Sequence, residues 1–559
     1  MKKLSKVCIL SIILIILSIS FASASTVDGD SIQASVDDMD FQEISIDEVS
    51  LNEEKDDLSA VSNSCQMADE NGEDELIADE NIPQNDVLSA SSSGNVHKVS
   101  PSNYSKYFKN GYVDTSIVKT GDIIDLSGNF NKVNFTFTIP CSITSSLKNA
   151  YLTNCVVKYE NVSSSIYSNV SNLRFTVHLE KHPCVYVVYS NHVNVFNCNA
   201  YSTGANSNPT LLVGSSYCNI HDNVFETTFT GYMNMSWKRA GILLGESHYN
   251  NIYRNDVTIK DSNGIYLTTY GFDKSNYNNI YNNTIRSSAI SEETGLPNPS
   301  AWAYGVHIMG DYNKAINNTI YLMYRGVDSE GSFNEIIGND IYNLAGSYYE
   351  GNNGTDGGEY GIHASYDNTI INNTIHDSKI TGSAIYVTVN CTAYGNVIQN
   401  ISGEHAFEFS ISASNTLVKD NFINMTSGNG MYIRGNMTNV TVCDNDIHSP
   451  EGTAIIVKVL SKAKIPDFIY IENNRIFDCN GTAINFAEVE NKSNITFINN
   501  SIIISNSTFF NAFDSEGIMK DQKAIDNVLF YGEFADLPID SITINQGINI
   551  LGENCQITD

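Results

Sequence analysis

An eight-residue phrase, Asn-x-Ile-x-x-Asn-x-Ile, recurs from about residue 190 to residue 502 and constrains the fold more than any other feature. It is complete at 278–285, which reads Asn-Asn-Ile-Tyr-Asn-Asn-Thr-Ile, at 334–341 and at 368–375, and nearly so at 250–257. Less exact copies also occur, and the first of them has Asn199 as its second asparagine. The second asparagine returns every 21 to 35 residues, apart from one interval of 48 that we interpret as two turns with a degenerate copy at Asn396. A fixed phrase at such a period predicts stacked coils.

Within the phrase, isoleucines separated by polar residues indicate strand alternation interrupted by one extra residue at a corner. Asparagine at the corner tolerates the left-handed backbone conformation that a tight bend needs. Stacked asparagines can also hydrogen-bond from coil to coil. The sequence therefore predicts an all-β protein, a parallel β-helix of about 14 coils. It also predicts a structural asparagine ladder of Asn255, Asn283, Asn318, Asn339, Asn373, Asn421, Asn445, Asn474 and Asn500.

The first 24 residues have the pattern of a secretory signal peptide: three early lysines, an apolar run at 7–21 and a small-residue cleavage site ending at Ala24. The apolar run is too short for a comfortable membrane span, and no later stretch approaches the required length. We therefore expect the mature protein to have no transmembrane segment. Its expected location is secreted or on the cell surface.

Residues 25–97 are expected to form a disordered acidic linker. Between Asp28 and Asp86 this segment contains 20 acidic residues and one lysine, Lys55. Low hydrophobicity with a high like charge cannot bury enough apolar surface to offset the entropy of the chain. The chain as a whole has a net charge of −32, which argues against a nucleic-acid partner.

The folded domain is predicted to span residues 98–559, with a short capping helix at 101–108 that covers the first coil. Ten cysteines remain after the signal, and none has the C-x-x-C or other spacing of a metal site. No cofactor is expected. Cys184, Cys198 and Cys218 could form disulfides, but we favour the interpretation that the cysteines are small apolar residues of the coil interior.

Function is expected in the insertions, because the coil core is committed to packing. The three longest intervals are 223–255, 283–318 and 339–373, and their extra residues should form one raised wall. Aromatic rings beside carboxylates and amides are typical of a sugar-binding groove. The predicted ligand-binding residues are Trp237, Trp302, Tyr348, Tyr349, Tyr360 and His363. The alternative is that single rings only cap loops against the coil.

Catalysis has weaker support in the sequence. Glycoside hydrolysis needs two carboxylates at a fixed separation, and Glu330 and Glu359 are only weak candidates because the sequence does not fix their distance. A lyase would need a basic residue near several aspartates that hold calcium. Arg325 has only Asp328 close to it in sequence. No catalytic residue is therefore predicted.

The repeat at 278–285, with its relatives at 313–320 and 368–375, resembles the right-handed parallel β-helix repeats of the NosD and pectate-lyase-like superfamily. The whole chain resembles the adhesin-like surface proteins of methanogenic archaea, through its signal, its acidic segment, the Pro-Ser-Asn-Tyr-Ser-Lys-Tyr-Phe at 101–108 and its Asn-Ile coils. The resemblance implies a right-handed helix. The catalytic motifs of polygalacturonases, pectate lyases and uronate epimerases are not found, so no catalytic residue is implied.

These observations predict a secreted or surface-associated, adhesin-like protein that binds glycans or a partner cell surface through its loops. The first alternative is a polysaccharide lyase or glycoside hydrolase that uses the same groove. The second alternative is a structural rod of the cell envelope.

Overall fold

A computed structural model describes residues 94–557, except for 206, 229–238, 270–272, 347–356, 436, 459–466, 480–481, 487–494, 523, 535–540 and 545–546. The predicted signal peptide and nearly all of the acidic linker lie outside the described residues. Among the residues that are described, no helix is both long and apolar enough to cross a membrane.

The described chain winds into stacked coils whose strands form three faces, and strands on each face pair in parallel almost throughout. The first face has 16 strands. They are Val96–Val99, Ile123–Leu126, Ser142–Thr144, Ser168–Ser171, Val193–Phe196, Asn219–His221, Asn251–Tyr253, Asn279–Tyr281, Lys314–Ile316, Glu335–Ile337, Thr369–Ile371, Thr392–Tyr394, Thr416–Lys419, Thr438–Cys443, Asp467–Glu472 and Ile495–Ile498.

The second face comprises Gly128–Asn131, Ala150–Thr153, Arg174–Val177, Asn199–Ser202, Val224–Thr227, Asp256–Ile259, Thr284–Ser287, Thr319–Tyr321, Asp340–Tyr342, Asp446–Ser449, Arg475–Cys479, Ser501–Ile504, Asn527–Phe534 and Asn549–Ile557. The third comprises Phe108–Lys109, Tyr112–Val113, Asn134–Phe137, Val156–Glu160, Val185–Val188, Thr210–Val213, Ala240–Gly245, Asn263–Thr268, Tyr304–Ile308, Arg325–Ser329, Tyr360–Ala364, Ile455–Lys458 and Ile484–Asn485. Three long strands, Thr374–Val387, Val397–Phe409 and Phe422–Arg434, run through both faces.

The prediction of an all-β parallel β-helix is confirmed, with about 16 turns in the described residues rather than the expected 14. Helix is confined there to Tyr104–Tyr107, Phe509–Ala512 and a 3₁₀ turn at Asn506–Thr508. The capping helix predicted at 101–108 is thus a single turn. The first strand begins at Val96, before the predicted domain boundary at 98, and already pairs with the next coil.

The coil interior is filled by the isoleucines of the phrase. Ile252, Ile280 and Ile336 lie at equivalent positions on the first face, and all three are fully buried. Burying such a side chain contributes about 1.5–3 kcal/mol relative to leaving it exposed. Repeating that contribution in every coil gives the stack its core.

The second asparagines of the phrase form a buried hydrogen-bonded ladder. The Asn283 side-chain oxygen accepts from the backbone N–H and the amide of Asn255, at 3.1 and 3.0 Å. The Asn283 amide in turn donates to Asn318 at 3.0 Å and to the Ile252 carbonyl at 2.9 Å. Each buried amide therefore satisfies backbone groups that the corner would otherwise leave without partners.

Two details differ from the sequence interpretation. The left-handed residue is not the ladder asparagine but the residue before it, as at Asn282 with φ of 54° and Asn317 with φ of 51°. Asn199 also lies outside the ladder, because Cys198 occupies the equivalent position and its backbone N–H donates to the Asn223 oxygen at 3.0 Å. Asparagine at the ladder position provides an inward side chain that hydrogen-bonds otherwise unpaired backbone groups. The left-handed backbone of the corner is adopted by the residue before it.

Eight cysteines of the described residues are buried, in agreement with the interpretation that they are apolar core residues. They are Cys141, Cys155, Cys184, Cys198, Cys218, Cys391, Cys443 and Cys479. Burial raises the pKa of Cys198 to about 12, so the thiolate that would react with oxidants or metals is scarce at neutral pH.

Candidate functional site

A second repeated phrase, which the sequence interpretation missed, builds the candidate site on the third face. It consists of a variable residue, a glycine or alanine, an apolar residue and a second variable residue, as in Tyr304-Gly-Val-His307 and Arg325-Gly-Val-Asp328. The last residue of each copy points away from the core. In register across the face these residues form a central row of Tyr266, His307, Asp328, His363, Tyr386, Glu408 and Tyr432.

The glycine in the phrase is required by the packing of successive coils. A Cβ at Gly326 would lie 2.4 Å from the carbonyl oxygen of Gly361 and 2.7 Å from a methyl carbon of Ile341. The absence of a side chain lets the backbones of successive coils approach closely here. The first variable residue of each copy lies beside the central row. We call those first residues the flanking row: Tyr304, Arg325, Tyr360, Ser383 and His405.

Replacing Gly326 with alanine is expected to lower the free energy of unfolding by about 2 kcal/mol, because the new methyl group overpacks a buried backbone contact. Ala384, at the equivalent position two coils on, provides the reverse control. Ala384→Gly should cost only about 1 kcal/mol, through chain entropy and one lost methyl group. Urea unfolding of both variants measures the difference. Equal stability of Gly326→Ala and the wild type would contradict the packing argument.

Arg325 is the centre of the site. Its guanidinium carbon lies 4.7 Å from the centroid of the Tyr304 ring and 5.1 Å from that of Tyr360. The guanidinium also contacts two carboxylates: its Nε donates to Glu359 at 2.7 Å, and a terminal nitrogen donates to Asp328. Cation–π and charge-assisted contacts thus fix the guanidinium from four sides.

Asp328 is a fully buried carboxylate beneath this guanidinium. One oxygen accepts from Arg325, and the other lies 2.8 Å from Nδ1 of His363. Burial alone would raise the pKa of Asp328, but the charges and hydrogen bonds of His363 and Arg325 outweigh it and hold that pKa well below its usual range. Asp328 is therefore an anion that positions two neighbours, and it cannot serve as a general acid at neutral pH.

On the N-terminal side of Arg325, His307 connects the central row to an exposed carboxylate. Its imidazole stacks on Tyr266 at 4.5 Å and lies 3.2 Å from a Glu330 oxygen. Ligand atoms of His307, Asp328 and Glu330 all lie within 4.8 Å of one another. Because both oxygens of Asp328 already bind neighbouring side chains, we assign no metal to this cluster.

On the C-terminal side, Glu408 has the position that Asp328 has at the centre. Glu408 accepts a hydrogen bond from the Ser383 hydroxyl at 2.7 Å and forms an ion pair with Arg434 at 2.5 Å. Burial and the nearby Arg434 lower the pKa of His405 to about 4, so this imidazole is neutral in ordinary conditions. The Tyr386 ring lies 5.2 Å from that of His363 and joins the two halves of the site.

The structure brings together most of the predicted site residues that it describes. Glu359, Tyr360 and His363 surround Arg325, and Glu330 contacts His307. The ring centroids of Trp302 and Tyr304 lie 6.5 Å apart, and about half of the Trp302 side chain is exposed. The predicted residues Trp237, Tyr348 and Tyr349 lie outside the described residues. Tyr360 and His363 were expected on a loop of the third insertion, but they belong to the strand Tyr360–Ala364, because Gly361 and Ile362 continue the core pattern.

Sequence analysis missed Arg325, Asp328, Tyr304, His307 and Tyr386 as site residues and treated Arg325 as isolated. The partners of Arg325 come from three different coils, so their proximity is invisible in a local window of sequence. The repeated Gly/Ala-apolar pair was the available signal. Aligning its copies would have placed these side chains in two adjacent rows.

Chemically, the site offers a solvent-facing strip of mixed aromatic and charged groups. Trp302, Glu330, Glu359, Tyr386 and Arg434 are all at least partly exposed. The strip crosses six adjacent strands, which corresponds to about 24 Å. Flat apolar faces, hydrogen-bond acceptors and a guanidinium alternate along it. An extended polar polymer fits such a strip better than a compact metabolite does.

No protein-family model matches the chain, and no curated protein matches its sequence. Among solved structures, the chain is similar to a mannuronic acid specific polysaccharide family 6 lyase from human gut microbiota, with 13% identity, 73% of this chain and 86% of the other covered, and a TM-score of 0.39. A tailspike protein of E. coli bacteriophage HK620 in complex with pentasaccharide has 12% identity, coverage of 76% and 73%, and a TM-score of 0.34. PfbA, a surface adhesin of Streptococcus pneumoniae, has 12% identity, coverage of 65% and 84%, and a TM-score of 0.28. At this similarity no residue role transfers to the present chain.

Proposed function

We propose that this protein binds polysaccharide along the strip on its third face and works as a secreted or cell-surface, adhesin-like protein. The observation that carries the proposal is the Arg325 guanidinium fixed between the rings of Tyr304 and Tyr360. The guanidinium and its two flanking rings form the rigid centre of a strip whose exposed edges hold Trp302 and Glu330. Rigid, preformed groups lose little conformational entropy on binding, which favours retention of a flexible sugar chain.

Binding is favoured over cleavage by how the carboxylates are used. Asp328, Glu359 and Glu408 each pair with an arginine; both oxygens of Asp328 and of Glu408 have partners, and one oxygen of Glu359 does. Glu330 is the most exposed of the four, and its contact is the His307 imidazole. Hydrolysis needs one carboxyl group that stays protonated and a second that acts on the opposite side of the bond. His363 and Arg325 outweigh burial and hold the pKa of Asp328 well below its usual range, so this carboxyl group is ionised, which is the wrong state for the acid.

Cleavage is the second candidate function, and the Glu330–His307 contact is the observation that favours it. An exposed carboxylate beside an imidazole can transfer a proton to or from a bound sugar. Under this alternative, Glu330→Gln abolishes turnover and leaves retention unchanged. Under the binding function, no turnover is present to abolish.

The test measures retention of the full chain on a panel of soluble polysaccharides by affinity electrophoresis, together with new chain ends and unsaturated products. The double variant Trp302→Ala/Tyr360→Ala is expected to bind about tenfold more weakly, since it loses two stacking surfaces. Phe468→Asn removes a similarly exposed ring from the first face and should bind as the wild type does. Wild-type affinity in the double variant would mean that the strip is not the binding surface. New chain ends would mean that the protein cleaves the polysaccharide rather than only binding it.

A further inference from the structure

A column of exposed aromatic rings runs along the corner just before the first face, outside the strip already described. Its members are Tyr217, Tyr249, Tyr277, Tyr312 and Phe333, each from a successive coil. Successive ring centroids lie 5.4, 5.0, 5.0 and 5.0 Å apart, and their planes are parallel to within 9°. Each side chain is 43 to 50% exposed. The aromatic column therefore presents a regular line of ring edges about 20 Å long.

The backbone beneath the aromatic column is strained. All five residues have left-handed φ values between 57° and 60°. This conformation costs a residue other than glycine roughly 1–2 kcal/mol, and bulky residues rarely adopt it. The next coils place Asp367, Asn390, Asn415 and Asn439 at the same corner, where short polar side chains tolerate it well.

Stability alone does not account for aromatic residues at this corner. Stacking contributes about 0.5–1.5 kcal/mol per pair, which offsets the backbone cost and leaves little net gain over asparagine. Half of each ring nevertheless faces solvent, where an apolar edge has no stabilising contact. Backbone strain that recurs in successive coils without a net gain in stability points to a functional surface.

The phenol groups of the aromatic column are available to a ligand. Among the described residues, the hydroxyls of Tyr217, Tyr249, Tyr277 and Tyr312 have no hydrogen-bond partner. Because the rings are parallel and evenly spaced, these hydroxyls repeat along the stack at the ring interval of about 5 Å. A ligand that matched this surface would carry hydroxyl groups at the same regular interval.

The charged neighbours of the aromatic column neutralise one another. Lys274 pairs with Asp311 at 2.9 Å, and Lys314 pairs with Glu335 at 2.9 Å. The rim therefore attracts neither a polyanion nor a polycation strongly. The net charge of −32 opposes close association with a second copy or with an anionic membrane.

We propose that the aromatic column binds an uncharged, extended β-1,4-linked polysaccharide presented on the surface of a fibre. The ring interval is comparable with the length of one sugar residue in such a chain, so that successive sugars can meet successive phenols. This inference rests on the proposed glycan-binding function but assigns the fibre to a surface separate from the strip. A fixed, periodic ligand suits a rigid, periodic column, since neither partner has to be ordered on contact.

The test measures retention of the full chain on microcrystalline cellulose and on chitin. In one variant, Tyr249, Tyr277 and Tyr312 are all changed to asparagine, the residue that later coils use at this corner, so that the fold is preserved. We expect its retention to fall at least tenfold. A second variant changes the same three residues to phenylalanine, which keeps the stack and removes the hydroxyls; its retention should lie between those of the wild type and the asparagine variant.

Wild-type retention by the asparagine variant, or no retention of the wild type on either fibre, would overturn the proposal. Dimers of the wild type that the asparagine variant abolishes in sedimentation velocity would assign the column to a second copy and also overturn it. A different assay tests the proposal that the strip binds soluble polysaccharide. That proposal fails if Trp302→Ala/Tyr360→Ala binds soluble polysaccharide as the wild type does. The asparagine variant should bind soluble polysaccharide as the wild type does.

Discussion

Replacing Asn318 with alanine is expected to lower the free energy of unfolding by roughly 2–6 kcal/mol, through the loss of one rung of the buried asparagine ladder. The Asn318 oxygen accepts from both the backbone N–H and the amide of Asn283, each at 3.0 Å. Its own amide donates to the Ile280 carbonyl at 2.9 Å. The substitution removes these partners from the Asn283 N–H and the Ile280 carbonyl, at about 1–3 kcal/mol for each group, whereas the Asn283 amide still donates to the Ile252 and Tyr281 carbonyls. Urea unfolding measures the loss.

Asn317→Gly is the matched control, since it changes the neighbouring exposed asparagine at the left-handed corner, where φ is 51°. Glycine adopts this conformation without steric cost, so the change should be below about 1 kcal/mol. Asn318→Asp provides a second comparison, because it keeps the shape but removes the amide donor and buries a charge. A loss below about 1 kcal/mol for Asn318→Ala would mean that the ladder does not hold the coils together.

The sequence predicts the coils of this fold well because each coil repeats one local solution. Ile280 and Asn283 recur with fixed spacing, so the phrase identifies the strand, the corner and the inward direction together. The physical reason for asparagine was less accessible. A left-handed corner and an inward amide both favour this residue, and they act on neighbouring positions such as Asn282 and Asn283.

The candidate site was harder to predict, because its geometry depends on contacts between coils. Glu359 and Asp328 are 31 positions apart in the sequence, yet both bind the guanidinium of Arg325. Composition and residue type pointed to Tyr360 and His363, but as loop residues. Only the register of the strands shows that Gly361 places them on a rigid face beside Arg325. The number of residues between equivalent positions varies from coil to coil, so the strand register could not be obtained by counting along the sequence.

The same distinction applies to the aromatic column. Tyr249 and Tyr277 each precede the first asparagine of the phrase, so their recurrence could be read directly from the sequence. Their exposure could not, because an aromatic residue next to a core position is as often buried as displayed. The left-handed backbone turns the side chain outward at this corner. The sequence analysis did not use this recurrence, which could have identified the position; the direction of the side chain depends on the backbone conformation.

Replacing Asp328 with asparagine is expected to lower the free energy of unfolding at neutral pH by about 3 kcal/mol, because the buried guanidinium of Arg325 loses one of its two anionic partners. The folded protein holds the pKa of Asp328 below its value in the unfolded chain, which is about 3.9. The stabilisation by Asp328 is therefore fully present above about pH 4 and disappears as the pH falls toward the folded-state pKa. The stability gap between wild type and variant should narrow over that range.

Urea unfolding of both proteins at pH 7, 5 and 3 measures the gap, and comparing the two proteins cancels the titration of the other carboxylates. Glu335→Gln is the control, because its ion pair with Lys314 is exposed and should contribute less than about 1 kcal/mol at any pH. A gap that stays constant from pH 7 to pH 3 would mean that the charge of Asp328 does not stabilise the site. A gap that narrows between pH 5 and pH 3 identifies Asp328 as a positioning residue, and Asp328→Asn should then also weaken retention of soluble polysaccharide by releasing Arg325 and His363.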